Sequence, residues 1–225
     1  PFVRKDIGEI YALFVRHTRP HIITISTNGF YKERMYFFIP KMLTDFPNTN
    51  LIIYLSIDGP EEIHDEIREK GSYKNAIEAL EMLQPLRKSF KNLGVSISMT
   101  FNRINEDYLQ KTFQEFADSK LADNVNIAFV RGNPRNPIIS KATISKYREL
   151  IQMKMAMIYK NKLKHPNLFM NRFLSLKDCY AYKIVEEILE NDRYILPCMA
   201  GSLMGILYAN GNVQPCEIFG GAPLG

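Results

Sequence analysis

The chain has 225 residues and a mass of 26.1 kDa, with 46% hydrophobic residues, 24% charged residues and no Trp. That is enough to bury a core without disulfide staples, and it excludes a miniprotein. The 29 basic residues exceed the 24 acidic ones by a dispersed +5, which does not indicate nucleic acid, and no apolar run approaches a bilayer span. The three cysteines, Cys179, Cys198 and Cys216, are few and late, which favours a reducing compartment and a cytoplasmic location. The sequence opens on Pro1 without the apolar core of a signal peptide, and it reads as a piece of something longer.

Asp6 and Glu9 have the spacing of a capping pair, and Ile7, Ile10, Tyr11 and Phe14 follow at helical intervals, so a helix is expected over 6–17. Arg19-Pro20 stops it, and 21–27 is a short β-branched run that predicts a buried strand. The unit repeats: a helix over 33–45 with a kink at Pro40, then a strand over 51–57. A helix from Ser72 or Lys74 to Ser89, kinked or split at Pro85, precedes a strand over 95–101. Leu109, Phe113 and Phe116 mark another helix, and 125–130 a fourth strand. This alternation requires parallel strands joined by right-handed crossovers, in a barrel or an open doubly wound sheet. Beyond Val130 come a loop at 131–137, a long amphipathic helix through Ile144, Tyr147, Ile151, Met155 and Ile158, a helix over 173–190, and a hairpin over 205–216 turning at Asn210-Gly211. The Met-rich stretch Met153, Met155 and Met157 reads as core rather than as a binding surface.

In parallel α/β architectures the chemistry gathers at the carboxyl ends of the strands. Those ends carry Ser26-Thr27-Asn28-Gly29, Ser56-Ile57-Asp58-Gly59, Thr100-Phe101-Asn102 and Arg131-Gly132-Asn133. Any one of these is a good turn former, but the coincidence at all four favours a ligand cavity. Ser96, Ser98, Thr100 and Asn102 alternate with apolar residues, so one face of that strand could line a polar lumen. Asp58 is the sole carboxylate at the four ends, which disfavours paired-acid glycosidase chemistry, and the histidines lack metal-ligand spacing. No P-loop, nucleophile elbow or dinucleotide fingerprint is present. A polar cavity without its own reactive group points to a cofactor that carries the chemistry.

Cys198 and Cys216 flank the hairpin, which could bring both thiols to one metal centre, zinc or iron–sulfur. Two ligands complete neither site, and two small buried hydrophobes are the plain alternative; Cys179, within a helical pattern, reads as core.

The run Ser56-Ile57-Asp58-Gly59-Pro60-Glu61-Glu62-Ile63-His64-Asp65-Glu66-Ile67-Arg68, followed by Gly71-Ser72-Tyr73, resembles the fourth-strand signature of radical S-adenosylmethionine (radical SAM) enzymes. Ser26-Thr27-Asn28-Gly29 is similar to their third-strand motif, Pro1 stands where their Gly-Gly-Glu-Pro motif would end, and Cys198, Gly211 and Cys216 resemble the opening of a SPASM or twitch extension. The resemblance spans nearly the whole chain.

It implies a partial (βα)6 TIM-like barrel with the start of a small C-terminal auxiliary-cluster domain. The divisions would be a partial barrel over 1–135, a helical segment over 136–195 and the extension from 196–225. It also implies reductive cleavage of S-adenosylmethionine to a deoxyadenosyl radical that abstracts hydrogen, with peptide modification or enzyme maturation as the leading class. The cofactors would be S-adenosylmethionine, a 4Fe-4S cluster whose three-cysteine loop lies upstream of Pro1, and an auxiliary iron–sulfur cluster. The partners would be a peptide or small-molecule substrate and an electron donor such as flavodoxin or ferredoxin. By this resemblance Thr27, Asn28, Ser56, Asp58, Arg68 and Asn102 bind the cofactor, with shaping of the turn as the alternative for Asp58, and Cys198 and Cys216 ligate the auxiliary cluster. Arg68 would pair with the methionine carboxylate, or alternatively with Asp65 at helical spacing, and His64 and Asp65 would orient the following turn. The competing expectation is a catalytically inactive binding or scaffold protein on the same fold, with zinc or no metal.

Overall fold

A computed structural model describes residues 1–132, 136–160, 171–191, 193, 195–208 and 210–216. The chain divides into two compact units, Pro1–Tyr180 and Ala181–Gly225. In the first, helix α1 (Ile7–Thr18) leads into strand β1 (Ile22–Thr27), followed by α2 (Lys32–Asp45), β2 (Asn50–Ser56), α3 (Glu61–Ile67), α4 (Ser72–Ser89), β3 (Leu93–Phe101), α5 (Leu109–Ser119) and β4 (Asn124–Phe129). A 3-10 turn (Pro137–Ser140) precedes α6 (Ile144–Tyr159), and α7 (Asn171–Asn191) begins in the first unit and ends in the second.

The four strands are parallel and lie in the order β1-β2-β3-β4. Because right-handed crossovers between strands laid down in one direction place every connection on the same side, α2, α4 and α5 share one face of the sheet. That face is apolar. Register rows such as Ile25, Ile53 and Val95, or Leu55, Ile97 and Val125, meet α4 over β2 and β3 and α5 over β4. Leu80 and Leu83 of α4 are fully buried there. Each such side chain contributes about 1.5–3 kcal/mol by leaving water.

The opposite face is hydrogen-bonding. One register row holds Ser26, Tyr54, Ser96 and Asn124, and the next row toward the carboxyl ends holds Ser56, Ser98 and Asn126. The period-two pattern read in β3 thus extends across the sheet. The Asn124 Oδ1 is buried on this side with no hydrogen-bond partner.

Two local expectations differ from the structure. Asp6 does not cap α1 with its side chain; its carboxylate takes the Arg4 guanidinium instead, at 2.8 Å to Nε. Nor does Pro85 split α4, which runs unbroken past it, just as α2 runs past Pro40. The carbonyls that lose their helical donor to these prolines belong to Tyr36 and Glu81, both exposed residues, where solvent can offset the loss.

Cys179 is buried, as its helical setting suggests. On α6, Met157 is buried, but so is Lys154, in a stretch read as apolar core. Burial lowers the Lys154 ammonium to about 7, opposed by the charge of Asp178. In the second unit, β5 (Ile206–Leu207) and β6 (Val213–Gln214) form an antiparallel hairpin. Gly211 turns it with φ of 91°, a conformation that favours Gly, and its amide donates to the Tyr208 carbonyl at 2.9 Å.

Candidate functional site

The carboxyl ends of β1 and β2 open into one hollow of about 290 Å³, lined by Ser26, Thr27, Asn28 and Ser56, with Pro1–Val3 and Tyr31 as its walls. Each strand end is shaped by its own side chains. Thr27 Oγ1 accepts from the Gly29 amide at 3.2 Å, and Asn28 Oδ1 accepts from the Phe30 amide at 3.2 Å. Gly29 takes φ of 76°, and a Cβ there would stand 2.6 Å from the Asn75 carbonyl, so only Gly lets the turn press against α4. Asn28 also lines an adjoining hollow of about 330 Å³ with Phe30, Arg68, Glu69, Lys70, Ser72 and Asn75.

Below these hollows lies a network centred on Asp58, whose side chain is only 2% exposed. Its Oδ2 accepts from Arg68 Nε at 2.7 Å and its Oδ1 from the Thr100 amide at 2.7 Å. Its carbonyl accepts from Asn105 Nδ2 at 2.7 Å, and its amide donates to His64 Nδ1 at 2.9 Å. Asp58 therefore ties the loop after β2 to β3, and both its oxygens are spent. Asn102 is spent in the same way. Its Oδ1 accepts from the Ile104 amide at 2.9 Å, while its own amide donates to Asn105 Oδ1 at 2.8 Å, closing the loop after β3.

Arg68 pairs with Asp58 rather than with Asp65, the alternative its helical spacing suggests. The Asp65 carboxylate is taken by the Tyr73 amide at 2.8 Å and the Gly71 amide at 2.5 Å, bonds that hold it below its ordinary pKa. Asp65 thus orients the turn into α4. His64 does the same from the other side: burial lowers its pKa, keeping the ring neutral as an acceptor for the Asp58 amide, while Nε2 meets Ser72 Oγ at 3.1 Å. With Nε held by Asp58, the Arg68 Nη atoms carry no hydrogen bond among the described residues, and Arg68 lines the adjoining hollow.

The structure brings Thr27, Asn28 and Ser56 together and sets Arg68 one hollow away, whereas Asp58 and Asn102 serve as braces. Two contributors carry no sequence signal. Asn105 bonds both the Asp58 and Thr100 carbonyls. Arg34 of α2 donates to the Phe2 carbonyl at 3.1 Å and to that of Val3, and its guanidinium lies 5.0 Å from the Tyr31 ring centroid. Arg34 thereby fixes the Pro1–Val3 wall.

In the second unit Cys198 is exposed, Cys216 is half-buried and neither is disulfide-bonded. Among the described residues no group of three or more His, Cys, Asp or Glu is placed to hold a metal ion. Also among them, no helix is long and apolar enough to cross a membrane. No protein-family model matches the chain, and no curated protein matches it significantly. Taken by itself, the strand-end site offers hydroxyls and amides with Arg68, Lys70 and Glu69 alongside, a balance of one positive charge suited to holding a polar ligand with an anionic group.

Proposed function

We propose that this chain carries the barrel core, and the start of an auxiliary-cluster extension, of a radical SAM enzyme of oxidoreductase or maturase type. The carrying observation is the convergence of Thr27, Asn28 and Ser56 on one hollow, with Arg68 lining the hollow that adjoins it at Asn28. Four parallel strands in sequential order, with the crossover helices α2, α4 and α5 on one face and polar side chains on the other, are what a segment of a (βα)6 barrel with a polar interior requires.

The residues present fit S-adenosylmethionine. The Ser56 hydroxyl and the Asn28 amide suit the polar nucleoside and methionine groups, and the Arg68 Nη pair suits a carboxylate bidentately. Arg68 is pre-oriented for this by Asp58, which fixes the guanidinium through Nε and partly neutralises it before a ligand arrives. When bound and reduced by a 4Fe-4S cluster, S-adenosylmethionine supplies a deoxyadenosyl radical for hydrogen abstraction. The chain's own part is to bind and orient that molecule and to wall it off with Pro1–Val3.

The residues described do not fit the reducing cluster, whose ligands would have to be supplied from elsewhere. Cys198 and Cys216 supply two thiols toward an auxiliary cluster. An electron donor such as flavodoxin or ferredoxin, and a peptide substrate reaching the polar face, complete the reading.

Calorimetric titration with S-adenosylmethionine tests it. Binding that weakens about tenfold or more in Arg68→Ala and Ser56→Ala is expected, and failure of the unaltered chain to bind would overturn it. In the full-length protein, anaerobic iron–sulfur reconstitution should yield deoxyadenosine. A second reading, a catalytically silent scaffold, draws on the lack of a third ligand beside Cys198 and Cys216 among the described residues. A colourless protein containing zinc or no metal after that reconstitution would favour it.

A further inference from the structure

A groove between α1 and α2 encloses about 400 Å³ and shares no lining residue with the strand-end hollows. The two helices pack closely at Gly8, where a Cβ would lie 3.1 Å from the Phe38 ring. Beyond that point Ala12 leaves the groove open, and Phe38, Met42 and Phe46 line it with apolar surface.

Tyr11 also lines it. This residue is 3% exposed, its ring meets Phe46 edge-on at 5.8 Å, and its hydroxyl is buried without a hydrogen-bond partner. A hydroxyl stranded in this way costs about 1–3 kcal/mol. Burial pushes its pKa up to about 12, so it remains a proton donor with no acceptor at any physiological pH.

The charges around the groove want the same complement. Lys5 and Lys41 make no ion pair among the described residues, and the Arg16 guanidinium rests over the Phe46 ring at 5.8 Å rather than on a carboxylate. Glu9 and Asp45 line the groove too, but both are exposed to water and neither closes onto a cation. The groove therefore has an apolar body, an unanswered donor and three cations without a carboxylate partner.

We infer that the groove is a binding site for a small amphipathic carboxylate, its apolar part against Ala12, Phe38 and Met42 and its anionic head toward the Tyr11 hydroxyl, Lys41 and Arg16. The volume falls within the range of small-molecule sites. A cation of the same shape would leave the hydroxyl and the lysines unanswered, so charge sign is the discriminating feature.

The test is a titration of the methyl-labelled chain with 4-phenylbutyrate and, separately, 4-phenylbutylamine, followed by NMR. Saturable shifts confined to the Ala12, Leu13 and Met42 methyls are expected, with the acid at least about fivefold tighter than the amine. Lys41→Glu, an exposed change, should weaken the acid about three- to fivefold. Tyr11→Phe should weaken it about tenfold while raising the melting temperature of the free protein, because it removes the stranded hydroxyl. Equal binding of acid and amine, shifts centred elsewhere, or unchanged affinity in both variants would overturn the assignment.

Discussion

Asp58 Oδ2 receives Arg68 Nε at 2.7 Å while its Oδ1 receives the Thr100 amide at 2.7 Å, so one carboxylate joins the Arg68 guanidinium to the backbone of β3. Asp58→Asn replaces one acceptor with an amide NH2 that faces either Arg68 Nε or the Thr100 amide, donor against donor in both cases. With Arg68 side chain 32% exposed, water offsets part of the damage, and we expect a loss of about 2 kcal/mol by urea denaturation. Affinity for S-adenosylmethionine should fall as well, since Arg68 loses its brace. Unchanged stability would mean that the network does not hold the two loops together.

Gly29 and Gly71 both take positive φ, at 76° and 81°, yet they should respond differently to alanine. At Gly29 the new Cβ meets the Asn75 carbonyl at 2.6 Å and Ala79 Cβ at 2.9 Å; at Gly71 nothing lies within 4 Å. Gly71→Ala should cost about 1 kcal/mol, the conformational term alone. Gly29→Ala adds a backbone collision and should cost about 2–4 kcal/mol. Chemical denaturation of the pair measures the difference, and equal losses would refute the close approach of α4 to this turn.

Glu106 has a side chain with no exposed surface, yet Arg103, the Thr143 amide and hydroxyl, and Lys146 all reach it. Burial pushes its carboxyl up, but the Thr143 and Lys146 bonds outweigh burial and hold it below its ordinary 4.5. A depressed acid contributes stability above its unfolded value that is lost as pH falls through the folded one. Glu106→Gln should therefore cost about 2 kcal/mol at pH 7, with a gap that closes as pH drops well below 4.5. Parallel denaturation curves at pH 7 and pH 3 check this.

His64 gives the opposite kind of group and a different window. Burial lowers it from 6.5, so the folded state resists protonation and the unfolded state does not. Its stabilisation is complete above 6.5 and declines as pH falls through the folded value, because a proton on Nδ1 would face the Asp58 amide. Denaturation midpoints between pH 7.5 and 5 should drop in the unaltered chain and flatten in His64→Gln.

The strands were legible because β-branched runs between Pro, Gly and Asn signals leave one reading, and their ends fall within two residues of expectation. Their sequential order was not, since nothing local separates a barrel from a doubly wound sheet. The Asp6 capping pattern misled because Arg4, two residues away, is a stronger partner for a carboxylate than a backbone amide. Asp65 and Arg68 have correct helical spacing for a pair, but tertiary donors at Gly71 and Tyr73 reach Asp65 first. At the site, Thr27, Asn28 and Ser56 were legible from their place after strands. Asn105 and Arg34 were not, because their partners are backbone carbonyls far away in sequence, which leave no pattern in side-chain spacing.

The grip of Arg34 on Phe2 and Val3 hangs one jamb of the strand-end hollow from α2 rather than from the sheet. The width of the doorway over Ser56 is thus set by how deeply α2 seats, through Met35 and Ile39, neither of which has any exposed surface. Trimming either side chain would retune access to a chamber that neither one lines.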